Sequence, residues 1–156
     1  MEYRELGKTG LKISTLGFGG IPIQRIDAAG TKVLMNQLVE AGVNYIDTAR
    51  GYTVSESYLG EALEGIRDKF VLATKSMART ADAMAADVQT SLTSLRTDYI
   101  DLYQIHNPTL APGGRGGPFL TNADPNCANW SCRQSNRRND IAKMHKPTID
   151  TFRKEW

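Results

Sequence analysis

Along the first two thirds of the chain, short apolar runs alternate with longer stretches whose apolar positions fall at i, i+4 and i+7, so strands and amphipathic helices are expected in turn. Tyr3 to Leu6 and Leu11 to Ile13 flank the glycine-bracketed turn Gly7-Lys8-Thr9-Gly10 and predict a hairpin, a lid or plug ahead of the main sheet. Leu16-Gly17-Phe18 predicts a first strand. A glycine loop to Pro22 follows, then a helix opened by Asp27, with Leu34, Leu38 and Ala41 on one face and Gly42 as its stop. Val43 to Asp47 predicts a second strand, and a helix from about Ser55 repeats the spacing with Leu59, Leu63 and Ile66. Phe70 to Thr74 is a third, continuous apolar strand. Met84, Val88, Leu92 and Leu95 stripe the helix after it, with Asp82 near its start, and Tyr99 to Ile105 is a fourth strand.

Strands thus recur roughly every 25 to 29 residues with helices between them, the grammar of parallel β/α units. Near-continuous apolar strands suit a parallel sheet covered by helices. Gly17-Phe18-Gly19-Gly20 lacks the spacing of a dinucleotide-binding G-x-G-x-x-G turn, which argues against a doubly wound fold. The expected class is α/β, as the first half of a parallel (β/α)8 barrel. A complete barrel takes about 250 residues, and this chain has 156.

Composition divides the chain at the same place as the pattern. Through Pro108 there are 11 Lys and Arg against 13 Asp and Glu, and from Thr109 onward 8 against 4. Both cysteines, both tryptophans and four of the six prolines follow Pro108, and that section contains no Val or Tyr. Gly113 to Pro118 is rich in breakers, and Ile141 with Met144 hints at a helical face before Pro147. Arg133 to Lys146 reads as a solvated basic segment or disorder. Two sections are therefore expected, 1–108 and an irregular tail, 109–156. A shifted reading frame or a gene truncation produces this kind of break, and translating the other two frames after Thr109 tests it.

Whole-chain values are those of an ordinary globular protein, with 40% hydrophobic residues and a formal net charge of +2. No apolar run approaches the ~18 residues of a membrane span, and Met1 leads into charged, alternating sequence, so a cytoplasmic location is expected. Cys127, Cys132 and His145 do not complete a zinc set, and the cysteines are expected to be free thiols. The tail's net +4 is too ordinary to predict nucleic-acid binding through Arg137, Arg138, Lys143 and Lys146.

In parallel β/α barrels the chemistry sits at the C-terminal ends of the strands. Those ends carry Asp47 with Tyr52 in the loop beyond it, Lys75, and His106. Each alone has an ordinary structural reading: a turn cap, a loop tyrosine, a lysine leaving the sheet, a histidine before the Asn107-Pro108 turn. Together they form an acid catalyst for carbonyl reduction, where a proton must reach the developing alkoxide. A phenol with a reference pKa of about 10 needs help at neutral pH, and a neighbouring ammonium favours its ionised form. Tyr52 is then the donor, Lys75 the ammonium, Asp47 its partner, and His106 the group that orients the substrate oxygen or relays the proton.

Asp47-Thr48-Ala49-Arg50-Gly51-Tyr52, Ala73-Thr74-Lys75 and Asp101 to His106 resemble the motifs of the aldo-keto reductases in order and spacing. The Lys8 to Ser14 and Leu16 to Gly20 segments fit as well, and the resemblance runs from about Tyr3 to Pro108. It implies an eight-unit barrel that reduces aldehydes and ketones with NADPH, NADH being the alternative. It also implies Tyr52 as general acid, Lys75 and Asp47 as its tuning pair, and His106 as the orienting histidine. Gly19, Gly20 and Ile21 match the segment whose backbone lies near the nicotinamide, and Asp47 matches a residue that approaches the nicotinamide ribose. The tail shows no counterpart of the family's remaining units, which supply most cofactor contacts. The contrasting expectation is an inactive half-barrel that self-associates through its open edges or binds a partner, distinguished by a defined dimer in solution.

Overall fold

The structure, a computed structural model, describes residues 1–107 and the backbone of Met144–His145. Its hairpin comprises β1 (Tyr3–Glu5) and β2 (Lys12–Ser14), paired antiparallel with Tyr3 opposite Ser14. Gly7 and Gly10 make the turn with φ of 60° and 73°, where a side chain would be strained. The hairpin is tied to the start of the second barrel strand: Tyr3 Oη donates to Gly42 O at 2.7 Å, and Ser14 N to Asn44 Oδ1 at 2.6 Å. It therefore sits at the end of the sheet opposite the strand C-termini.

Four strands form one parallel sheet in chain order: β3 (Phe18–Gly19), β4 (Tyr45–Asp47), β5 (Val71–Ser76) and β7 (Leu102–Ile105). Between them run α1 (Ala28–Glu40), α2 (Ser55–Ala62) and α3 (Ala81–Ser94), with 3-10 turns at Pro22–Arg25 and Arg67–Lys69. Asp27 caps α1, as expected, accepting from Gly30 N at 2.7 Å. Thr80 caps α3, accepting from Ala83 N at 3.2 Å, and Asp82 sits in the first turn, near the helix start as expected.

Several boundaries differ from the sequence reading. The first strand begins at Phe18, because Ser14 Oγ donates to Leu16 O at 2.7 Å and holds a turn there, leaving Leu16 exposed. The buried face of α1 centres on Thr31 and Met35, with Leu34 and Leu38 at its margin and Ala41 exposed, since the Thr31 hydroxyl is satisfied by Asp27 O at 2.9 Å. Helix α2 stops at Ala62, and Leu63 and Ile66 reach the core from the turn beyond, where Gly65 has φ 80°.

The fourth strand is split into β6 (Tyr99–Ile100) and β7 because Asp101 turns inward. Its carboxylate accepts from Leu72 N at 3.0 Å and Arg67 Nη2 at 2.7 Å. Met144, expected on a helical face, lies instead in β8 (Met144–His145), antiparallel to β6. The remaining expectations for the tail, including the thiols at Cys127 and Cys132, fall outside the described residues.

Ile46 and Leu72 face the helices and join Met35, Leu59, Val88, Leu92 and Leu95 in the core. Side chains alternate across a strand, so Asp47, Ala73, Lys75 and Gln104 point to the other face, into the barrel, as the register Asp47 to Ala73 and Lys75 to Gln104 requires. Helices α2 and α3 touch at Gly60, where a Cβ would lie 2.2 Å from Ser94 O and 2.9 Å from Leu95 C. Ala ordinarily favours a helix over Gly by about 1 kcal/mol, but here it would overpack against backbone, at a cost of about 1–3 kcal/mol or more. Gly60→Ala should lower the urea midpoint, and a raised midpoint would show that the helices can part freely.

Candidate active site

The loop after β4 is laid down by backbone bonds. Thr48 N donates to Ala73 O at 2.9 Å and Arg50 N to Lys75 O at 3.0 Å, so the ladder between β4 and β5 continues past the strand end. The chain then tightens: Tyr52 N donates to Ala49 O at 3.0 Å and Ser55 N to Tyr52 O at 2.8 Å, while Thr53 takes a left-handed φ of 44°. This reversal presents the Tyr52 ring over the strand ends and starts α2.

Asp47, Tyr52, Lys75 and His106, named from the sequence, come together there. Lys75 lies within β5 rather than just after it, and its side chain is 12% exposed. Its ammonium donates to Asp47 Oδ2 at 2.5 Å and to Thr48 O at 2.9 Å. The same nitrogen stands 5.1 Å from the Tyr52 ring centroid. His106 meets Tyr52 edge to face, with centroids 5.8 Å apart and planes at 87°. Asp47 is 35% exposed, so the pair opens toward solvent on the carboxylate side.

His106 is held by its backbone: its N donates to Ser76 O at 2.8 Å, and Arg79 Nη2 donates to its carbonyl at 2.9 Å. Its Nδ1 is buried and has no hydrogen-bond partner among the described residues. Desolvation, then the Lys75 charge, pulls its pKa below the usual imidazole value; Asp47 opposes the shift and Arg79 adds to it. The neutral imidazole is therefore the favoured form. On the barrel-facing side of β4, burial and then Asp47 push the Tyr45 phenol up to about 12.

The His106 shift has a consequence for stability. Unfolded imidazole titrates at 6.5 and native His106 below it, so between the two the unfolded chain binds a proton that the native chain does not, and stability rises with pH. The contribution is whole above 6.5 and is lost as pH falls through the native pKa. Between pH ~7.5 and ~5 the wild type should lose more urea stability than His106→Asn; parallel losses in the two would contradict the shift.

Gly19 ends β3 in register with Asp47, and a side chain there would meet nothing within 4 Å, so bare backbone faces open space. Gly20 is closed in: its N donates to Asp47 O at 2.8 Å, and a Cβ would lie 2.7 Å from Ser55 Oγ and 2.9 Å from Thr48 Oγ1. Ile21 follows with 54% of its surface exposed. The sequence reading missed the residues beneath this layer. Thr48 and Ser55 hydroxyls share a 2.8 Å bond, Ser55 Oγ donates to Gly20 O at 3.0 Å, and buried Glu56 bridges Arg50 and Thr74. No local spacing announces these pairs.

The model of the aldo/keto reductase family matches residues 15–111, more than half of the chain. This chain belongs to that family. Among curated aldo/keto reductase relatives, the Bacillus subtilis oxidoreductase YqkF is 35% identical over 124 residues, which cover 70% of this chain and 40% of that protein. An NADPH-dependent codeinone reductase of Papaver somniferum is 32% identical over 116 residues, covering 67% of this chain and 36% of that one. The solved holo form of an aldo-keto reductase from Bacillus halodurans superposes with a TM-score of 0.65 at 36% identity, over 70% of this chain and 41% of that one. The chain thus spans about two fifths of the length of these relatives, and its fold is the first half of their barrel. Among the described residues no helix is long and apolar enough to cross a membrane, and no cluster of His, Cys, Asp or Glu could hold a metal ion.

Proposed function

We propose that this site reduces an aldehyde or ketone with a nicotinamide cofactor, NADPH in preference to NADH, with Tyr52 as proton donor. The observation that carries the reading is the Lys75 ammonium, fixed by Asp47 at 2.5 Å and standing 5.1 Å from the Tyr52 ring. Surroundings that suit a planar ring support the cofactor: open backbone at Gly19, the exposed Ile21, and the Asp47 carboxylate at the mouth. Gly19, Gly20, Ile21 and Asp47 are the residues that would hold it. When bound, it supplies the hydride that attacks the carbonyl carbon. The NADPH-dependence of the Papaver relative favours the phosphorylated form.

The chain's own residues handle the proton. Tyr52 Oη gives its proton to the carbonyl oxygen as negative charge develops there. Lys75 stabilises the phenolate left behind, and because Asp47 and Thr48 O hold the ammonium in place, no reorganisation is needed at that moment. Neutral His106, edge-on to Tyr52, carries one ring N–H that can donate to the substrate oxygen and orient it. NADPH absorbance, followed with a panel of aldehydes and quinones, tests the reading. The rate should depend on the carbonyl compound and fall in Tyr52→Phe; equal rates in the two proteins would sink the tyrosine mechanism.

A further inference from the structure

We infer that Glu56 is a positioning residue, whose carboxylate braces the Tyr52 loop against the strand that carries Lys75. Glu56 lies in the first turn of α2 with 2% of its surface exposed. One oxygen, Oε1, accepts from Thr74 Oγ1 at 2.8 Å, and the other, Oε2, accepts from Arg50 Nη1. Thr74 immediately precedes Lys75 on β5, and Arg50 stands two residues before Tyr52. The backbone closes the circuit, since Arg50 N donates to Lys75 O at 3.0 Å.

Side-chain bonds hold this loop on several sides, Thr53 Oγ1 donating to Gln24 Oε1 at 2.8 Å among them. Ser55 and Thr48 tie it to Gly20, on the side of the open glycine backbone. The Glu56 anchor ties it to β5 and links the two elements whose side chains must keep the 5.1 Å approach of ammonium to ring. A carboxylate that served only helix α2 could be satisfied by the helix N-terminus or by water. This one is withdrawn from water and directs both oxygens at residues flanking the acid and its cation. An ion pair so buried is costly to break on one side, and it fixes geometry because both partners sit on different segments.

The inference rests on the reading of Tyr52 as proton donor only for its catalytic consequence, a lower kcat. Its placement role can be read without turnover. The Tyr52 and His106 rings are in contact, so the His106 ring proton resonances sense the Tyr52 ring current. The chain has two histidines, and His106→Gln identifies the signal. Tyr52→Leu then marks its position without the tyrosine ring. Glu56→Gln and Thr74→Val should each move the His106 resonance by at least half of that displacement.

Leu92→Ala, a core substitution on α3 that destabilises without touching the loop, should leave the resonance in place. Should Glu56→Gln not fold, Thr74→Val decides, because it removes the arm to β5 while the Arg50 ion pair keeps the Glu56 charge compensated. Folded variants with the wild-type resonance would overturn the inference, as would an equal displacement in Leu92→Ala. A resonance unmoved in Tyr52→Leu denies the ring contact itself and overturns the inference together with the site geometry. Loss of NADPH turnover with an unmoved resonance refutes the brace while leaving the Tyr52 mechanism standing.

Discussion

Tyr52→Phe should reduce carbonyl reduction by about 100- to 10,000-fold, the range that a positioned general acid contributes. Removing one oxygen leaves the aromatic ring, its edge contact with His106 and the nearby Lys75 ammonium in place. The loop that presents the ring is held by backbone bonds, Tyr52 N to Ala49 O and Ser55 N to Tyr52 O, which the substitution does not touch. The variant should therefore keep its circular dichroism and urea midpoint while losing NADPH oxidation. A residual rate above a tenth of wild type would assign the proton to another group.

Lys75→Met should be nearly as damaging to turnover, with a fall of about 100-fold or more, and should leave the chain folded. Met matches the length of the lysine stem and keeps its packing in β5, where the side chain is largely buried. Asp47 loses its 2.5 Å partner, but at 35% exposure the freed carboxylate can take up water. Replacing a buried ion pair's cation by an apolar residue is strongly destabilising only where the remaining charge is sealed in. Activity and stability should thus separate. Urea denaturation beside NADPH oxidation checks this, and a loss of both in equal measure would make Lys75 structural instead.

The gathering of Asp47, Tyr52, Lys75 and His106 at one end of the sheet was legible because three of them stand at a strand end or one residue from it, where a titratable side chain after an apolar run is conspicuous, and Tyr52 follows in the loop after Asp47. The third helix was legible for a related reason: Met84, Val88, Leu92 and Leu95 form one unbroken stripe, and all four are buried. The first helix was read a little off its true face. Thr31 looks like a surface residue, yet its hydroxyl is satisfied within the helix by Asp27 O and its remainder packs inward.

Leu16 misled in the opposite direction, being apolar but exposed, because strand pairing starts only where Phe18 meets Ile46. Glu56 was invisible. A glutamate in a helix's first turn ordinarily reads as a solvated residue, and its partners lie six residues before it and 18 after it, joined only by the parallel sheet. Asp101 splits the fourth strand for the same kind of reason, through an arginine 34 residues earlier. Local pattern reports which face is apolar, and it carries no record of polar pairs closed by topology.

The most direct test of the account is a single turnover of this chain with one equivalent of NADPH deuterated at the transferred position and an aromatic aldehyde, the alcohol being analysed by mass spectrometry. On this account, a reaction quenched within the wild-type reaction time should yield singly deuterated alcohol from the wild type and at most about a hundredth as much from Tyr52→Phe. Equal labelled alcohol from both proteins, or none from either, would contradict it.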